Sequence, residues 1–209
     1  MNSEYTNKVE LIGIYGSDKT HACSAWTSTS RELTEEKIQR LPKLLKFLAE
    51  NSHETPFEKS SLHFLVTADI ASHIHCLKHR IGVSINCESA RYKELKDDKF
   101  YIPIDWPDTE KYNLEQFCKK SFEEYHNCLA RLVEKGFNRK RAKESARFYL
   151  TYANQLQFDI MYNFRSFMHF QRLRNSEHAQ LEIQNIAKTM LELVKATGQF
   201  KYSLEAFNL

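Results

Sequence analysis

Residues that interrupt regular structure are scarce in this chain, with only five glycines and four prolines among 209 residues. Because glycine and proline are the strongest breaks in helices and strands, their scarcity favours long elements. Apolar residues at helical spacing predict a helix over residues 34–51, with Thr34 as its N-cap, and another over residues 114–135 that ends at Gly136. The chain is therefore expected to be mostly helical.

Shorter sequence patterns predict the remaining strands and helices. Two apolar-rich runs, residues 9–15 and 61–67, predict strands. Helical spacing predicts a short helix from Ile70 to the triplet at 78–80, and the segment 81–92, which has no convincing period, is read as a loop. Further helices are expected from Asn138 through Leu150, over residues 155–173, and over residues 177–196 after a Ser176 cap. The sum is an α+β fold in a single domain over residues 1–209.

Composition excludes several classes of protein. A chain with 42% hydrophobic and 12% aromatic residues builds a packed core rather than staying disordered, and a net charge of +3 favours anionic partners only weakly. Five cysteines, an odd number without a CxxC pair, indicate reduced thiols and a cytoplasmic setting. No apolar run approaches the ~20 residues of a membrane span, and the start of the chain lacks an apolar signal core. His73 and His75 have no supporting ligand spacing, so no metal site is expected.

Three polar clusters are candidates for a functional site. Residues 78–92, KHRIGVSINCESARY, crowd Arg, Lys, Ser and Asn donors that suit a phosphate or carboxylate, although a solvated loop would also explain them. Residues 53–59, HETPFEK, place a histidine beside a threonine and a proline, and such a histidine can equally cap a turn.

The third cluster is residues 162–174, YNFRSFMHFQRLR. At 100° per residue, Asn163 and Arg174 share a helix face with two phenylalanines, while His169 lies on another face with two arginines. The aromatic rings could stack on a planar ligand whose edges Asn and Arg reach. The alternative is an aromatic core stripe flanked by surface arginines.

The order of these clusters resembles that of the flavin-dependent thymidylate synthases. That family carries H-x-x-P-F-E, then R-H-R-x-x-S-x-N-x-x-S-x-R-Y, then Asn-x-Arg-Ser, a later Arg and A-Q-x-E-I, which this chain matches across residues 50–190. It departs from the pattern in having Lys78 for the first signature Arg and one extra residue between Arg80 and Ser84. Cys87 stands at a usual Glu, and His75 and His169 stand where Gln and Asn are common.

The resemblance implies reductive methylation of dUMP to dTMP, with FAD as cofactor and methylenetetrahydrofolate and NADPH as co-substrates. It also implies a small antiparallel sheet and a homotetramer with sites shared between subunits. Two residues would be catalytic, Arg174 polarising the pyrimidine and His53 lying near folate and the transferred carbon. Flavin contacts would be Thr55, Lys78, His79, Arg80, Ile81, Asn86, Asn163, Arg165 and His169. Substrate contacts would be His75, Lys78, Cys87, Glu88, Ser89, Ala90, Arg91, Arg147 and Arg174, with Arg147 coming from a neighbouring subunit.

Two other functions stay open from the sequence. The departures near the pyrimidine pocket could retune the enzyme to another flavin- and folate-dependent C5 modification, such as hydroxymethylation of a different deoxypyrimidine monophosphate. The basic run NRKRAK at residues 138–143 could instead belong to a non-catalytic nucleotide- or RNA-binding protein, although a solvated helix face explains it more simply. Cys87 is not expected to be a covalent nucleophile, because the adjacent Glu88 disfavours a thiolate.

Overall fold

The computed structural model describes residues 5–89, 91–95 and 97–209. Its four strands are β1 (Lys8–Tyr15), β2 (Ser61–Asp69), β3 (Val83–Cys87) and β4 (Gln155–Asn163). They form a small antiparallel sheet in the order β1-β2-β4-β3, so the α+β, mostly helical class predicted from the sequence is confirmed.

Eight α-helices make up most of the remaining described chain. They are α1 (Asp18–Trp26), α2 (Glu35–Glu50), α3 (Ile70–Leu77), α4 (Asp108–Glu134), α5 (Arg139–Ala146), α6 (Phe164–Arg174), α7 (Leu181–Ala196) and α8 (Lys201–Ala206). Single turns of 3-10 helix cover Thr55–Glu58 and Arg147–Tyr149. Among the described residues, none of the helices is both long and apolar enough to cross a membrane.

The chain divides into two compact units, and the prediction of a single domain over residues 1–209 stays a prediction. The first unit comprises the described parts of Met1–Lys8, Val66–Cys76 and Asn86–Phe158. Its core lies between α4 and α5, where Tyr125 and Leu129 pack against two buried alanines of α5. A second apolar cluster surrounds Phe122, whose neighbours are Phe100 and Cys118.

The second unit comprises Val9–Leu65, Leu77–Ile85 and Asp159–Leu209. Its core is aromatic: the rings of Phe64 on β2 and Phe167 on α6 stack with centroids 5.8 Å apart. Phe164, also on α6, stacks on Phe200 at 5.1 Å, just before α8. The aromatic residues of α6 are thus core residues, which supports the core-stripe interpretation of residues 162–174 over ligand stacking.

Most element predictions are confirmed, with small shifts of their ends. Thr34 caps α2 by accepting a hydrogen bond from the Lys37 N–H, and Pro42 is accommodated inside that helix. Gly136 follows α4 with φ of +85°, a conformation that glycine adopts without steric cost. The last long helix begins at Leu181, four residues later than predicted, and α1 and α8 were not predicted.

Two predictions were wrong. The predicted helix over residues 155–173 is a strand, β4, for its first nine residues, because Phe158, Ile160 and Tyr162 alternate into the core at a period of two. Asn163 then starts α6 by accepting a hydrogen bond from the Ser166 N–H. The segment read as a loop contains β3, an edge strand beside β4.

Candidate active site

The second unit contains an open cleft of about 730 Å³. It is bordered by the segment that follows α3, by the N-cap and exposed side of α6, and by two glutamates near the first 3-10 turn. Its lining residues are Glu54, Glu58, Lys78, His79, Arg80, Ile81, Val83, Asn163, Arg165, Ser166, Met168, His169, Arg172, Leu173, Arg174 and Phe207. Thirteen of these sixteen residues come from the two clusters at 78–92 and 162–174, some eighty residues apart in sequence, and the fold brings them together.

Gly82 fixes the segment after α3 onto the start of α6. Its carbonyl accepts a hydrogen bond from the Asn163 N–H at 3.0 Å, and the Ser166 hydroxyl donates to the Ile81 carbonyl at 2.7 Å. The φ of Gly82 is +64°, and a Cβ at this position would overlap the Asn163 amide and the Ser166 hydroxyl. A glycine is therefore required within IGVS, where the chain carries one more residue than the family signature.

The cleft lining is positively charged, with five cationic side chains and two carboxylates. Both carboxylates hold one arginine: Arg165 donates from Nε to Glu54 at 2.7 Å and from Nη1 to Glu58 at 2.6 Å. Both contacts raise the pKa of Arg165, and the hydrogen bond to Glu58 has the larger effect. Within the described chain, Lys78 and Arg80 form no ion pair, so their charges attract an anionic ligand.

Arg174, at the C-terminal end of α6, contacts a histidine rather than a carboxylate. Its Nε donates a hydrogen bond to Nε2 of His79 at 3.0 Å. His79 is buried, with 8% of its surface exposed, and its ring meets the edges of Phe170 and His169. Arg174 itself is only partly buried and lines the cleft.

Eight of the residues predicted for flavin and catalysis line this cleft: Lys78, His79, Arg80, Ile81, Asn163, Arg165, His169 and Arg174. Two others from the second unit do not. Thr55 is exposed at the start of the first 3-10 turn, between the two glutamates that hold Arg165. His53 is exposed after α2, where its N–H bonds the Leu48 carbonyl and its ring packs edge-on against Phe47.

The other predicted residues belong to the first unit, except Ala90, which lies outside the described residues. Glu88 accepts hydrogen bonds from Lys93 at 2.9 Å and from the Gln157 N–H at 2.9 Å. Burial raises the pKa of Glu88, but these two hydrogen bonds and the positive charges of Lys93 and Lys99 together lower it. The ionised Glu88 carboxylate therefore links the segment at residues 78–92 to β4.

Cys87 has a protonated thiol in this setting. Partial burial raises its pKa, and the adjacent Glu88 carboxylate raises it further. A thiol needs a lowered pKa to act as a nucleophile near neutral pH. These causes support the expectation that Cys87 does not attack a substrate.

The remaining predicted substrate contacts of the first unit differ in how they are held. Arg91 donates from Nε to Glu144 at 2.9 Å, and the Ser89 hydroxyl accepts from the Arg91 N–H at 3.3 Å. Arg147 is exposed in the second 3-10 turn. His75, on α3, is half-buried, and Asn86, on β3, is exposed. Their roles as ligand contacts stay predictions.

Several lining residues were not predicted from the sequence. Glu54 and Glu58 act on Arg165 from 111 and 107 positions away, a tertiary pairing that no local pattern reveals. Phe207 comes from the C-terminal segment, where the Arg172 guanidinium lies 5.4 Å from its ring centre. Two signals were available in the sequence: Glu58 ends the H-x-x-P-F-E segment, and Arg172 shares a helical face with Arg165 and His169, which also line the cleft.

The cleft fits a flavin nucleotide. Its volume lies within the roughly 300–1,000 Å³ of ligand sites. Lys78 and Arg80 have no carboxylate partner among the described residues, so they can face the two negative charges of a pyrophosphate. Asn163 and His169 add polar groups at the same wall.

Comparison with known proteins agrees with this fold. The crystal structure of the UMP/dUMP methylase PolB from Streptomyces cacaoi, bound with 5-Br dUMP, matches with a TM-score of 0.80 and 26% identity, covering 98% of this chain and 96% of that one. The family model of the thymidylate synthase complementing protein, Thy1, matches residues 10–197.

Two relatives are more similar in sequence. A flavin-dependent thymidylate synthase of Thermosipho africanus is 34% identical over 95% of this chain and 90% of its own length. That of Pseudothermotoga lettingae is 32% identical, covering 93% and 87%. The chain therefore belongs to the flavin-dependent thymidylate synthase family of methyltransferase enzymes, as the order of its motifs predicted.

Proposed function

We propose that this enzyme converts dUMP to dTMP by FAD-dependent reductive methylation, with methylenetetrahydrofolate as carbon donor and NADPH as reductant. The observation that carries the proposal is the cationic cleft, in which seven of the nine residues expected to bind flavin line the same walls as Arg174. The names of the relatives and the dUMP analogue bound to PolB support the same chemistry.

In this proposal, Lys78 and Arg80 bind the pyrophosphate of FAD, and Asn163 and His169 make polar contacts with it. Bound FAD supplies the hydride chemistry that the side chains of this protein lack. Lys78 offers a point charge in place of the planar fork of the family's arginine, so it binds phosphate through a single ammonium.

Arg174 acts on the pyrimidine. Uracil C5 attacks a carbon only when negative charge builds up on the ring oxygens and nitrogen, and a fixed cation stabilises that charge as it develops. Ser89, Arg91 and Arg147 would bind the nucleotide phosphate, with Arg147 supplied by another subunit of a homotetramer. His53, exposed after α2, is assigned to the folate and the transferred carbon.

The first experiment mixes the purified protein with FAD, removes free ligand by gel filtration, and adds NADPH. Retained flavin absorbance that bleaches with NADPH is expected, together with dTMP identified by mass spectrometry after dUMP and the folate are added. Arg80→Gln should weaken flavin retention, whereas Arg40→Gln, a matched change on exposed α2, should not. Elution of all flavin free of micromolar protein would refute the proposal.

The same product analysis separates the alternatives. Detection of a hydroxymethylated product in place of dTMP would favour the alternative C5 modification over methylation. Because PolB is named as a methylase of both UMP and dUMP, UMP is tested beside dUMP as a second candidate substrate. The basic run at residues 138–143 gives little support to RNA binding, since Arg139 pairs with Glu94 and Arg141 with Glu144. A cytoplasmic location also stays a prediction.

A further inference from the structure

The hydrogen bond between Arg174 and His79 constrains the chemistry of both side chains. An arginine remains protonated and can only donate hydrogen bonds. His79 therefore accepts through an unprotonated Nε2 and carries its proton on Nδ1, a tautomer inferred from this contact. His79 is thus a neutral acceptor in a buried position, and its predicted contact with flavin stays a prediction.

The position of this bond matters because the guanidinium is planar. Anchoring Nε fixes the plane of the group and the direction of both terminal nitrogens. Those terminal nitrogens form no hydrogen bond with a described residue, whereas Arg165 in the same cleft has both Nε and Nη1 engaged by carboxylates. A neutral anchor also leaves the full positive charge of Arg174 available to a ligand.

The anchor is itself held rigidly. The His79 ring meets Phe170 at a centroid distance of 5.0 Å and an angle of 70°, and Phe170 is fully buried. His79 and Arg174 lie 95 positions apart in sequence, so the contact depends on the packing of the segment after α3 against α6. An imidazole packed in this way cannot rotate without disturbing the core.

We propose that His79 is a positioning residue for Arg174: through Nε2 it holds the guanidinium so that both terminal nitrogens are presented to a ligand in the cleft. The consequence for catalysis rests on the proposed role of Arg174 toward the pyrimidine. The geometric assignment does not, and the two are tested separately.

Two variants of His79 separate the acceptor from the volume of the ring. His79→Gln keeps an acceptor oxygen near the place of Nε2, whereas His79→Leu keeps an apolar group of similar size and removes the acceptor. Circular dichroism shows whether each variant is folded. His178→Leu, an exposed histidine four residues beyond Arg174, is the matched control.

The first measurement does not depend on turnover. In protein labelled with [15N]arginine, the Nε–H signal of Arg174 is identified by its loss in Arg174→Lys, and its solvent exchange is followed by NMR. We expect exchange at least about tenfold faster in His79→Leu, and near the parent rate in His79→Gln and His178→Leu. Unchanged exchange in a folded His79→Leu, or failure of His79→Gln to restore protection, overturns the assignment.

The second measurement is a double-mutant cycle on methylation turnover. His79→Leu should lower kcat by about 10- to 100-fold in the parent, and have little effect in the Arg174→Ala background, because its influence passes through that arginine. An equal loss in both backgrounds would show that His79 acts by another route. A parent without methylation activity would defeat the proposed function, and the exchange measurement would still decide the role of His79.

Discussion

Acidification should destabilise this protein in part through His21 on α1, the most fully buried of its described histidines. Its side chain is fully buried, with Nδ1 2.9 Å from the Ser203 hydroxyl and Nε2 2.8 Å from the Ser60 hydroxyl. Three phenylalanine rings surround it with centroids 5.0 to 5.5 Å away. Burial lowers the pKa of His21 from 6.5 to about 3.

The magnitude follows from proton linkage. In the unfolded chain His21 takes up a proton near pH 6.5, whereas in the folded protein it remains neutral until about pH 3. Between these values the unfolded state binds one more proton, so the free energy of unfolding falls by about 1.4 kcal/mol per pH unit as the pH drops. The stabilisation is complete above pH 6.5, and about 5 kcal/mol is lost by pH 3.

Asp18, which accepts a hydrogen bond from the Ser203 hydroxyl, works in the opposite direction. Burial raises its pKa, so the folded state takes up that proton more readily than the unfolded one. Comparing the parent with a His21 variant at each pH removes this contribution, because both proteins retain Asp18.

The assay is urea unfolding at several pH values between 7 and 4.5, at a fixed protein concentration. His21→Gln should be less stable at pH 7 by about 1–3 kcal/mol, since it replaces a buried hydrogen-bonded ring. Its free energy of unfolding should then fall less steeply with pH than that of the parent. His178→Gln, on the exposed surface, should follow the parent. Parallel pH profiles for the parent and His21→Gln would refute the assignment.

Three further predictions concern the site. Arg174→Ala should keep the oligomer and the flavin but lower methylation turnover by about 10²–10³-fold, and near-parent turnover would rule out its role. Cys87→Ser should still form product because the parent thiol is protonated; a trapped protein–nucleotide adduct in the parent, with no turnover in the variant, would contradict this. Gly82→Ala should lower the urea midpoint more than Gly198→Ala. Both glycines have positive φ, +64° and +69°, but only Gly82 would meet neighbouring atoms, and equal shifts would show that backbone strain alone matters.

The sequence predicted the cleft better than it predicted the elements that carry it. Asn163 was recognised as a site residue, yet its function as the N-cap of α6 was missed, and β4 was merged with that helix. Residues 158–162 alternate between buried and more exposed side chains, but a strand of this length directly before an aromatic helix reads easily as one helical run. The boundary is set by tertiary pairing with β2 and β3.

The strand β3, within the segment 81–92 that was predicted to be a loop, was missed for a related reason. Val83–Cys87 is an edge strand with polar residues between its apolar ones, so its strand character depends on its partner β4 more than on its own composition. The hydrogen bond from the Glu88 N–H to the Gln157 carbonyl, at 2.8 Å, continues this pairing beyond the strand. Contacts between residues so far apart in sequence cannot be read from a single chain.

The pairing of Arg165 with both Glu54 and Glu58 limits the order in which these three cleft residues can be substituted. If Arg165 is lost first, Glu54 and Glu58 are left without their partner, and two carboxylates would then repel an anionic cofactor. If the glutamates are neutralised first, the arginine merely becomes free. We therefore expect Arg165→Met to weaken FAD binding far more in the parent than in a Glu54→Gln, Glu58→Gln background, so that the three positions evolve as one unit.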